Sequence, residues 1–117
     1  MSVADLLGTL HQEIASRAYF SRLDVLEQTA TLLKARLYIS AGLFVQVYRN
    51  ERFDTTNFVL IHNEQRIYAR DQLDGVWHRH SVTAPDLHDT STEGRVAINL
   101  SEFLDEVETV LTRLDLP

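Results

Sequence analysis

The chain has 117 residues, 44% of them hydrophobic and 24% charged, a balance that fits one folded domain and excludes a disordered chain. It contains no cysteine, which excludes a disulfide framework, a thiolate metal site and a cysteine nucleophile. The net charge of −6 weighs against a dedicated nucleic-acid binder, although the acids gather late: residues 84–117 carry eight acids and two bases, residues 31–83 five acids and seven bases.

Ser2 and Asp5 open the chain with a capping-box spacing, and Val3, Leu6, Leu7, Leu10 and Ile14 follow at helical intervals. A helix is therefore predicted from about Val3 to Ser16. The start lacks a basic segment ahead of an apolar stretch, so no secretory leader is expected. No apolar run approaches the roughly 18–20 residues needed to span a bilayer. A cytoplasmic protein that does not meet a membrane is the resulting expectation.

The pattern then changes to a period of two. Tyr19 to Gln28 reads as a strand. Thr31 to Ile39 alternates, with Leu33, Ala35, Leu37 and Ile39 on one face and Lys34, Arg36 and Tyr38 on the other. Leu43 to Arg49 is rich in valine and aromatics. Asn57 to His62 and Gln65 to Arg70 flank Asn63-Glu64 as a tight hairpin, and Asp71 to Gly75 closes a further turn before a last strand, Val76 to Val82. Thr83 to Ala97, with Pro85 and Gly94, reads as a loop. Asn99 and Glu102 then cap a helix whose stripe is Leu100, Phe103, Leu104, Val107, Val110, Leu111 and Leu114. The expected fold is α+β, one domain over residues 1–117, in the order α-β-β-β-β-β-β-α. Both helices should pack on one face of an antiparallel sheet.

No phosphate-binding glycine loop, zincin helix or nucleophile elbow is present. The polar residues that can carry chemistry cluster in the last strands. His78 and His80 share a strand face. Pairing Arg70 with Val76 would bring Arg66, Tyr68, Arg70, His78 and His80 to one face and leave Ile67, Ala69 and Trp77 for the core. A slip of one residue would instead set the histidines beside Ile67 and Ala69. Histidine, whose unperturbed pKa as a residue type is about 6.5, suits acid–base cleavage of RNA, and arginine suits the developing phosphate charge. A metal reading takes His78 and His80 with Asp86, His88 or Asp89, at a spacing that matches no standard zinc motif. A solvated or partner-binding face is the third reading.

The stretches Phe58-Val59-Leu60-Ile61-His62, Tyr68-Ala69-Arg70-Asp71 and His78-Arg79-His80, between an amphipathic first helix and an acidic last one, resemble the TumE-type proteins. These are small prokaryotic toxin components of toxin–antitoxin pairs. Where that pattern carries extra histidines and prolines, this chain has Asp74-Gly75-Val76-Trp77. The resemblance implies a toxin with a helix-turn-helix antitoxin as partner. The residues themselves suggest His78, His80 and Tyr68 as the acid–base set and Arg66 and Arg70 as substrate contacts. The expected cleavage needs no metal and no cofactor, with RNA as a further partner. The alternative is a non-catalytic interaction module, such as a homodimer.

Overall fold

The computed structural model describes residues 1–89 and 91–116. Helix α1 spans Val3–Ser16, and the Ser2 hydroxyl accepts the Asp5 amide at 3.0 Å, satisfying one of the free donors of the first turn. Seven strands follow: β1 Arg22–Gln28, β2 Leu32–Ser40, β3 Leu43–Asn50, β4 Thr55–His62, β5 Gln65–Leu73, β6 Val76–Ser81 and β7 Ala84–Asp89. Helix α2 spans Leu100–Arg113 behind a complete Asn99/Glu102 capping box.

The strands form one antiparallel meander in sequence order, each pairing with its neighbours in the chain. The α+β class and the helix–strands–helix order are those expected from the sequence. The sheet gains a seventh strand, because Ala84–Asp89 pairs with β6. The sequence suggested a loop there since Pro85 cannot donate to a ladder; β7 is the outermost strand, where that loss is tolerated. Thr90, in the same expected loop, lies outside the described residues. β1 also starts later than expected. Tyr19 and Phe20 precede it and pack against the core instead.

One sheet face is apolar. Leu33, Ala35 and Leu37 of β2, Val45 and Val47 of β3, and Phe58 and Leu60 of β4 are fully buried. They meet Leu6 and Leu10 of α1 and Phe103, Leu104 and Val107 of α2. Each of these valine, leucine and phenylalanine side chains contributes about 1.5–3 kcal/mol by leaving water. Phe58 is central, 5.5 Å from Phe103 and 6.1 Å from Trp77 between ring centres. Arg17, just after α1, ties the two helices: it bonds Glu13 at 2.6 Å, Asp105 at 3.0 Å, and Glu108. Among the described residues no helix is long and apolar enough to cross a membrane.

Both helices cover the same face, so the opposite face of the sheet stays open. That face carries Lys34 and Arg36 of β2 and Gln46 of β3, and it is where the site lies.

Candidate functional site

The turn between β5 and β6 sets the site. β5 continues to Leu73, so the connection is only Asp74-Gly75, and both residues take positive φ, 49° and 80°. Such two-residue turns match the twist of paired strands. The resulting register places Ala69 opposite His80, Arg70 opposite Arg79, Asp71 opposite His78 and Gln72 opposite Trp77. This corrects the pairing of Arg70 with Val76. The shift is odd, so it moves His78 and His80 to the opposite face from Tyr68 and Arg70.

Tyr68 and Arg70 therefore face the helices. The Tyr68 hydroxyl donates to Glu106 at 2.6 Å, and Arg70 holds both oxygens of that carboxylate at 2.9 and 2.7 Å. Arg70 also donates to the Glu93 carbonyl at 2.8 Å. Burial, and next Glu106, push the Tyr68 phenol up to about 12. These two residues are committed to fastening α2, on the other side of the sheet from the histidines.

Arg66 is different. A bulge in β5 puts it opposite Ile61 on the open face, and its guanidinium comes within 3.8 Å of Asp86 in β7. Its Nε is enclosed and has no hydrogen-bond partner among the described residues. Of the five residues expected on one face, Arg66, His78 and His80 share it.

The centre of the site is Asp71, which looked like a turn residue in the sequence. It is buried in β5 between Asn57 of β4 and His78 of β6. The Asn57 amide donates to Asp71 Oδ1 at 2.5 Å, and Asp71 Oδ2 lies 2.9 Å from His80 Nε2. His80 is 2% exposed, and the small side chain of Ala69 opposite leaves room for its ring. Its Nδ1 lies 2.9 Å from the Pro85 carbonyl oxygen, which can only accept, so Nδ1 carries the hydrogen.

β7 brings in His88. Its ring stacks on His78 with centres 4.9 Å apart and meets His80 edge-on at 4.6 Å. Next to it, the Asp89 carboxyl is held well below the usual range by hydrogen bonds from Ser91 and then by Arg79. Asp71, His80 and His88 each offer one donor atom within 4.8 Å of the others. His78 Nδ1 is enclosed and unpartnered among the described residues.

Three imidazoles and one carboxylate thus converge on the open face, with an arginine on the same three strands. The arrangement can pass protons or hold a cation. Of the loop residues weighed as ligands, His88 joins the cluster, while Asp86 and Asp89 turn to Arg66 and Arg79. Asp71 and Asn57 went unrecognised. The signal that marks Asn57 is a lone amide directly ahead of the apolar run Phe58-Val59-Leu60-Ile61.

Compared with protein-family models, with curated proteins and with solved structures, the chain finds no match.

Proposed function

We propose that the protein is a cytoplasmic toxin of the TumE type that cleaves RNA on the open face of β5–β7. The observation that carries this reading is the convergence of His78, His80 and His88 on Asp71, with His80 almost fully buried, its Nδ1 held by the Pro85 carbonyl and its Nε2 beside Asp71. A buried, oriented imidazole beside a carboxylate is costly to maintain for stability alone. His78 carries the proton, as it lies opposite Asp71 and stacks on His88 on the same face. Arg66 receives the phosphate, since its side chain is 35% exposed and its contact with Asp86 is long. A helix-turn-helix antitoxin is the proposed partner that keeps this face covered between uses.

The test is inducible expression in a bacterial host. Wild type should arrest growth, and soluble His78→Ala and His80→Ala proteins should not. RNA from arrested cells should show new cleavage products. Arrest by both variants as well as wild type would sink the assignment.

A second reading, a non-catalytic module that pairs with a second copy, has one observation in its favour. The β1 edge leaves Val25 and Leu26 42% and 47% exposed at a bulge. An open apolar edge is a template for another strand. Light scattering on wild type and Val25→Lys decides it: a dimer that the lysine abolishes supports pairing, and a monomer in both removes it.

A further inference from the structure

We infer that Asp71, His80 and His88 form a binding site for a divalent transition-metal ion, in place of the metal-free centre expected from the sequence. The inference concerns the same cluster as the proposed ribonuclease but does not depend on RNA being the substrate.

The argument starts from His80. With its Nδ1–H given to the Pro85 carbonyl, the Nε2 of the neutral ring is a bare lone pair. That lone pair lies 2.9 Å from Asp71 Oδ2, which is also only an acceptor when ionised. Two acceptors in a buried place repel one another, so something positive belongs between them. A proton on Nε2 is one solution, but it requires the N–H to point along the line to Oδ2. It does not: Nε2 is enclosed without a hydrogen-bond partner despite the short separation. The two atoms are close together and make no hydrogen bond to each other.

That is the geometry of two ligands on one ion. Donors about 2.0–2.1 Å from a zinc-like ion stand about 2.9 Å apart at a right angle and about 3.3 Å apart at a tetrahedral one. The observed 2.9 Å fits the right angle. His88 completes three donors, all within 4.8 Å of one another. Two imidazoles and one carboxylate on one side of an ion leave further positions open, which is the donor set of catalytic rather than purely structural sites.

The surroundings support the ligands. Metal-bound histidines commonly donate their other N–H to a carbonyl, and bound carboxylates are themselves hydrogen-bonded. His80 has Pro85 in that role, and Asp71 has Asn57. Nitrogen and oxygen donors without sulfur suit zinc, iron or manganese. His88 is the exposed member, on the edge strand, so the ion can enter from solvent. His78 stacks beside His88 outside the set of three and stays free for proton transfer.

The experiment is calorimetric titration of the full-length, chelator-stripped protein with Zn²⁺ and with Mn²⁺. One ion per chain should bind. His88→Ala, at an exposed position, should weaken binding at least tenfold while circular dichroism stays unchanged. Asp71→Asn, of equal volume, should do the same, and Asn57→Ala should weaken it about 10- to 100-fold as an outer-shell change. His11→Ala, on α1 away from the site, should leave binding as it is. Absence of binding by wild type, or equal affinity in His88→Ala and Asp71→Asn, overturns the site. Stoichiometric binding that these variants weaken upholds it, whether or not RNA is cleaved.

Discussion

Arg70 of β5 grips Glu106 of α2 by both carboxylate oxygens, through Nε at 2.9 Å and Nη2 at 2.7 Å. The arginine side chain is 6% exposed and the glutamate 30%. Removing one partner of a fully buried pair costs about 3–5 kcal/mol; with Glu106 part-exposed, Arg70→Ala should cost about 2–3 kcal/mol. Urea unfolding measures it. Arg70 lies on the face away from the histidines, so the folded variant should keep its metal affinity and its effect on bacterial growth. Loss of both at unchanged stability would return Arg70 to the role of substrate contact.

The Tyr68 phenol gives this fastening a pH dependence. Its folded-state pKa is about 12, raised from 10.0 first by burial and then by Glu106. A raised pKa means that the folded state holds the proton more tightly than the unfolded one. The stability linked to it is complete below pH 10 and is lost as the pH rises through 12. Stability measured from about pH 9 to about pH 11 should therefore fall more steeply in wild type than in Tyr68→Phe. Parallel curves would mean that the phenol is open to water in the folded protein.

The Asp74-Gly75 turn holds the register on which the site depends. Gly75 has φ of 80°, and a Cβ there would stand 3.1 Å from Asp54 Oδ2. Gly75→Ala should destabilise by about 1–2 kcal/mol, from backbone strain and the close approach together. Gly75→Asn should cost less, because asparagine tolerates the left-handed conformation. Chemical denaturation of the two variants separates the contributions; equal losses would assign the cost to the contact with Asp54.

This turn also shows how far the site was legible in the sequence. Asp-Gly reads as a turn, but Asp71 and Gln72 read as part of it too, because a polar run after Arg70 has the pattern of a loop. Both residues belong to β5. Asp71 is satisfied by Asn57, and Gln72 accepts from Thr56 at 2.8 Å and from Arg49 at 3.3 Å, so two polar residues are strand-compatible only through partners distant in sequence. Losing three residues from the turn changed the register by an odd number and exchanged the faces. The helices had no such ambiguity. Val3 to Ser16 is bounded by its own cap and stripe, and Asn99 with Glu102 marks the start of α2 within four residues. Local chemistry was readable, whereas the pairing of β6 with β7, which delivers His88, depends on contacts that periodicity does not encode.

His78 separates the two roles assigned to the cluster. It lies opposite Asp71 and stacks on His88 at 4.9 Å, yet it falls outside the three mutually close donors. If the ion rests on Asp71, His80 and His88, then His78→Ala should bind Zn²⁺ with wild-type stoichiometry and an affinity within about threefold, less than the tenfold or more expected of an outer-shell change. RNA cleavage should nevertheless fall by about 10²–10⁴, the range for losing a positioned proton carrier. Two measurements on one protein, calorimetry and a cleavage assay, are sufficient. A variant that loses the ion makes His78 a fourth ligand and closes the site further. A variant that keeps both the ion and full cleavage places the proton transfer elsewhere, and Arg66 and Asp86, 3.8 Å apart on the same face, become the next groups to change.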